Sequence, residues 1–165
     1  MKLGMQIDYA GGFKESAATV AAYEKAGLDI AWVAEAYGFD GPTFMGYLAA
    51  TTDTITIASG ILPIYTRTPT LLAMTAAGMD ALTDGRCILG LGASGPQVIE
   101  GFHGLQYDKP LGRTREIIDI CRQVWRREGP VTHDGPIYHL PLPEGQGTGL
   151  GKPLKIIARS VGVRV

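Results

Sequence analysis

The chain has 165 residues, 45% of them hydrophobic and 19% charged, which suits one globular domain with a sizeable core. A net charge of −1 gives no general attraction to nucleic acid or an anionic membrane. No apolar run approaches the roughly 18 residues of a membrane span, the start lacks a signal peptide, and Cys87 and Cys121 stand in no metal or redox spacing. The expectation is a cytoplasmic protein with buried thiols and no metal site.

Residues 3–8 read as a short strand. Residues 14–26 read as a helix with Ala18, Ala21, Ala22 and Ala26 on one face, stopped by Gly27. Residues 30–34 form a second strand, 42–51 a short helix, and 54–59 a third strand rich in β-branched residues. Residues 69–82 are helical, with Pro69 in the first turn and Leu71, Met74, Gly78 and Leu82 along one stripe. Residues 87–91 are a fourth strand. Residues 111–127 carry the clearest helical pattern, with Ile117, Ile120, Cys121 and Val124 on one face and Arg115, Asp119, Arg122 and Arg126 opposite. Residues 131–133 and 137–140 flank Asp134-Gly135 and read as a hairpin. Residues 154–158 read as a fifth core strand. Strand and helix alternate four times, so the pattern predicts an α/β fold with a parallel sheet.

Glycines gather where the fourth strand ends, at 90, 92, 95, 101 and 104. Bare backbone at the carboxyl end of a buried strand lets a flat or anionic ligand approach closely. Gly90, Gly92 and Gly95 match the spacing of a dinucleotide-binding turn. The context differs, because no helical run is evident at Gly95 and no strand with an acidic end follows about 20 residues on. From pattern alone, the segment is either a ligand loop or a glycine-rich turn.

The string Leu91-Gly-Ala-Ser-Gly-Pro-Gln-Val-Ile-Glu-Gly-Phe-His-Gly104 resembles a signature of the luciferase-like monooxygenase superfamily, and within it the branch that uses the deazaflavin coenzyme F420. Lys2-Leu-Gly4, Trp32-Val-Ala-Glu35, Ser59-Gly-Ile-Leu-Pro63, Arg67-Thr-Pro69 and the 109–116 segment fit the same family in the same order. The resemblance implies an incomplete (β/α)8 barrel of about five strands with a small β-hairpin insertion. Residues 1–158 then read as the N-terminal part of a barrel, and 159–165 as an atypical tail left by truncation or a shifted frame. Open sheet edges at 3–8 and 154–158 predict self-association into a homo-oligomer.

The strand ends converge on one rim: Asp8-Tyr9, Glu35 to Tyr37, Gly60 to Pro63 and Gly92 to Gly95. The resemblance implies a bulge with a non-proline cis peptide at Gly60–Ile61, forming a backstop for the coenzyme ring. It implies that Gly92, Ala93 and Ser94 contact the ring or its ribityl chain, and that Glu35 lies near the ring's polar edge. Read from the residues alone, Pro63 accounts for the strand end, Ser94 for a turn, and Glu35 for a solvated loop. Sugar-phosphate dehydrogenases of this branch carry a His and a Glu where this chain has Ala36 and Pro96, so Glu35 and Tyr37 are the catalytic candidates, with Asp8 unranked beside them. Arg67, Arg113 and Arg115 suit anionic tails or local ion pairs, and the phosphate cradle of relatives lies in later strands. The expected function is hydride transfer between deazaflavin and a small organic substrate. FMN-dependent oxygenation and a non-catalytic flavin-binding half barrel are the alternatives.

Overall fold

Four short apolar runs build one parallel sheet. The computed structural model describes residues 1–8, 10–159 and 162–163; Tyr9 and most of the expected tail lie outside the described residues. The sheet has the order β1 (Gly4–Ile7), β2 (Ile30–Val33), β3 (Thr56–Ser59), β5 (Cys87–Ile88). Its register aligns Met5, Ala31, Ile57 and Cys87 in one row, and Gln6, Trp32, Ala58 and Ile88 in the next. The first row packs with Ile7 and Val33 against α1 (Phe13–Lys25) and α2 (Gly41–Thr51), through Ala17, Val20, Phe44, Met45 and Leu48. Crossover helices on one face of parallel strands are the unit of a (β/α)8 barrel.

The third and fourth strands do not run straight through. β3 breaks at Gly60–Ile61 and resumes as β4 (Leu62–Pro63). β5 breaks at Leu89-Gly90 and resumes as β6 (Leu91–Gly92). β4 and β6 pair with each other, in parallel, as a separate two-stranded ladder. The sequence pattern joined residues 87–91 into one strand because every residue in it is apolar or glycine. The break is tertiary, set by the neighbouring strand.

α3 (Pro69–Leu82) begins where Thr68 caps the Leu71 amide and Pro69 occupies the first turn. Its expected apolar stripe faces outward: Leu71, Met74 and Leu82 are exposed, and the buried face is Leu72, Ala73, Ala76 and Ala77. Small residues on that face let the sheet and α5 (Pro110–Arg126) approach closely. The α1 stripe is likewise rotated, with Ala17 and Val20 buried and Ala18 and Ala22 exposed. α5 buries Ile117, Ile120, Cys121 and Val124 as its periodicity requires. A one-turn helix, α4 (Pro96–Ile99), does open after Gly95, against the sequence reading.

The hairpin forms as β7 (His133–Asp134) and β8 (His139–Leu140). The buried Glu116 of α5 pins it, accepting bonds from the Tyr138 amide at 2.9 Å and the Ile137 amide at 3.4 Å and lying 3.0 Å from His133 Nε2. Burial pushes the Glu116 carboxyl up, but those partners outweigh it and hold the carboxyl below its ordinary range.

The expected fifth strand at residues 154–158 is not formed. The segment is held by bonds from the Val131 amide to the Leu154 carbonyl and from Arg127 Nε to the Ile156 carbonyl, and Leu154 and Ile157 are exposed. An apolar run becomes a strand only when a ladder receives it, and none of the described strands pairs here. The two edges of the sheet are therefore β1 and β5.

Candidate functional site

Because β1, β2, β3 and β5 are parallel, their carboxyl ends share one rim. Glu35 lies two residues past β2, Gly60 follows β3, and Ala93 and Ser94 follow β6. The structure thus brings Glu35, Gly60, Ile61, Gly92, Ala93 and Ser94 to one end of the sheet.

Gly60–Ile61 is a cis peptide. Beside it, Ser59 and Gly90 lock the two strand breaks together: the Ser59 hydroxyl donates to the Gly90 carbonyl at 2.9 Å and accepts from the Gly90 amide at 2.8 Å. A Cβ on Gly90 would lie 2.0 Å from the Ser59 carbonyl oxygen, so only glycine fits. Ile61 lies across Gly92, where an added Cβ would meet its Cγ1 at 2.8 Å. Trp32 packs beneath Gly60. The result is a shelf of backbone and one aliphatic side chain, which suits one face of a flat ring.

Ser94 is exposed and holds a left-handed backbone, φ 56°. Its loop is braced by an aromatic–cation stack. Tyr65 and Tyr107 rings lie 5.2 Å apart, and the Arg113 guanidinium sits 4.8 Å from Tyr65 and 5.4 Å from Tyr138. Arg113 also donates to Asp108 at 2.6 Å and to the Tyr138 hydroxyl at 3.0 Å.

Glu35 is not a solvated loop carboxylate. Arg67 grips it with two bonds, Nη1 to Oε1 at 2.5 Å and Nη2 to Oε2 at 2.8 Å, and the Gly41 amide donates to Oε2 at 2.6 Å. Arg67 Nη2 also reaches Asp40 at 2.6 Å. The hydrogen bonds to Glu35 hold the Arg67 pKa above its ordinary value despite burial, with Asp40 adding to the effect. Tyr37 is exposed at the tip of the same loop, 6.4 Å from the Phe102 ring. Asp8 is also exposed, and its carboxylate accepts from the Ala10 amide.

Arg67 and Arg113 are thus committed to carboxylates, and the Arg67–Glu35 pairing, 32 residues apart, carried no signal in local spacing. His103 has its Nε2 shielded and without a hydrogen-bond partner, against Phe102. A cavity of about 620 Å³ lies elsewhere, between α3, α5, the hairpin and residues 152–158, and no rim residue lines it. Among the described residues, no group of three or more His, Cys, Asp or Glu side chains is placed to hold a metal ion, and no helix is long and apolar enough to cross a membrane.

Residues 1–162 match the family model for the luciferase-like monooxygenases. The chain belongs to this family. A Mycobacterium tuberculosis protein provisionally named a coenzyme F420-dependent oxidoreductase is 50% identical over 159 residues, covering 95% of this chain and 46% of that protein. The 5,10-methylenetetrahydromethanopterin reductase of Archaeoglobus fulgidus is 30% identical over 139 residues, covering 84% of this chain and 41% of the enzyme. Among solved structures, the coenzyme F420-dependent tetrahydromethanopterin reductase of Methanopyrus kandleri superposes with a TM-score of 0.81 at 22% identity, over 97% of this chain and 47% of its own. The chain therefore spans about half the length of the relatives it matches, and its fold is the corresponding part of their barrel.

Proposed function

We propose that this chain carries the ring-binding part of an oxidoreductase that moves a hydride between coenzyme F420 and a small organic alcohol, carbonyl or activated alkene. The observation that carries the reading is the bare shelf at Gly60, Ile61 and Gly92, on the carboxyl ends of parallel strands. The 50% identity to a protein named for this coenzyme supports the deazaflavin over FMN. A side chain at Gly92 would displace Ile61 from the shelf, so the bare backbone present there fits a flat ring resting on Ile61.

When bound, the coenzyme supplies a carbon that accepts or donates hydride. The protein's part is to hold it and to shape the space above it. Ile61 and the Gly60–Ile61 backbone support one face of the ring. Ala93 and Ser94 would help hold the coenzyme, the exposed Ser94 hydroxyl supplying a hydrogen bond to its polar part. Tyr37 is the proton-bearing group on the substrate side. With Phe102 it gives the rim an exposed aromatic wall for a substrate to pack against. Glu35 enters the site as the anchor of the loop that presents Tyr37.

The test is a fluorescence titration of the protein with deazaflavin and with FMN in parallel. Saturable deazaflavin binding that Gly92→Val abolishes supports the reading. Tighter binding of FMN, or deazaflavin binding untouched by the substitution, overturns it.

A further inference from the structure

We infer that Arg67 is the positioning residue of the rim, and that Glu35 acts as its latch partner rather than as a proton carrier. This inference rests on the reading above for its link to the coenzyme, but its geometry stands alone.

Glu35 and Asp40 bracket the loop between β2 and α2, and Arg67 holds both ends of it. Asp40 in turn caps α2, accepting from the Thr43 amide at 2.9 Å and the Thr43 hydroxyl at 2.6 Å. Arg67 itself immediately precedes Thr68, the cap of α3. One guanidinium therefore ties the segment that leads into α3 to the cap of α2, and fixes both ends of the loop between β2 and α2. Between the two anchors the loop lays a half-exposed Phe39 edge-on to Phe13 at 5.0 Å and holds an exposed Tyr37 near Phe102. β3 lies between β2 and β5 in the sheet. A contact between the loop after β2 and the loop after β6 must therefore pass across the end of β3, where Gly60–Ile61 sits.

The same bonds occupy Glu35. Three donors converge on its two oxygens, one on Oε1 and two on Oε2, and its side chain is only 10% exposed. Both oxygens point at the guanidinium and the loop amide, so the carboxylate is turned toward its latch and away from a substrate on the rim.

The experiment compares Arg67→Met, Arg67→Lys, Glu35→Gln and the neutral pair Glu35→Gln/Arg67→Met. Amide hydrogen exchange reads the latch without any ligand. Arg67→Met should speed exchange at Gly41 and Thr43 by at least about tenfold while the α5 amides stay protected, with Arg67→Lys in between. Unchanged protection at Gly41 and Thr43 overturns the inference. Turnover with reduced deazaflavin reads the role of Glu35. In Glu35→Gln and in the neutral pair, kcat/KM should fall no further than in Arg67→Met alone, and its pH profile should keep its shape. A pH limb that vanishes with Glu35→Gln, or a collapse of kcat at unchanged KM, also overturns it. Failure of every form, wild type included, to bind deazaflavin sinks the proposed function, and the exchange data then decide the latch by themselves.

Discussion

At the scale of single residues, two glycines only two positions apart do different work. Gly90 faces a backbone oxygen at 2.0 Å that cannot step aside, whereas Gly92 faces side-chain carbons of Ile61, the nearest at 2.8 Å. Gly90→Ala should therefore lower stability by about 1–3 kcal/mol or more, because the Ser59 bridge must break to admit the methyl group. Gly92→Ala should cost less than that in a urea melt and yet weaken coenzyme binding more. Equal stability losses in the two variants would show that the two strand breaks are not locked as described. The sequence made both glycines visible but could not rank them, since spacing carries no information about what stands opposite. Glu35 was legible as a rim residue for the same reason that its role was not: its partner Arg67 lies beyond any helical or strand period.

At the scale of elements, legibility followed how local the cause was. The bounds of α3 were readable because Pro69 announces its start, and α5 because its apolar stripe is clean. The α3 stripe was misjudged because its alanine face is the one that packs and larger apolar residues sit outside, and the α1 stripe because its many alanines mark no single face while Val20 sets the buried one. Residues 154–158 have the composition of a strand and no ladder to join. The hairpin depends on a single buried carboxylate. Glu116 has its pKa lowered by folding from an ordinary value of 4.5. Its contribution is then complete above that value and is lost as pH falls through the lower, folded one. Thermal melts from pH 7 downward should show this loss, and Glu116→Gln should flatten the acid limb while costing about 1–3 kcal/mol at neutral pH. A variant whose melting temperature tracks the wild type at every pH would remove Glu116 from that account.

At the scale of the whole molecule, the sheet is covered by helices on one face and has two strands paired on one side only. β1 is such an edge, and Leu3 beside it is half exposed. Unpaired strand edges recruit further strands unless a charge or bulge blocks them. The chain should therefore show concentration-dependent association in sedimentation velocity over the micromolar range. Gln6→Lys, which puts a charge on the exposed face of β1, should reduce it. Monomers at every concentration, in both forms, would show that this edge is blunted in another way. The resemblance gave the barrel as a fold class, and the structural neighbours agree. The composition could not have told a barrel from an open sheet, because both read as alternating strands and helices.

The placement of Trp32 has an optical consequence. The chain has two tryptophans. The indole of Trp32 packs under Gly60, while that of Trp125 is tied to the Ala73 carbonyl between α3 and α5. One emitter therefore sits directly below the shelf and the other away from it in the helical layer. A chromophore settling on Gly60–Ile61 would quench the first far more than the second. The protein carries its own paired reporter and reference, and Trp125→Phe would leave a single lamp beneath the site.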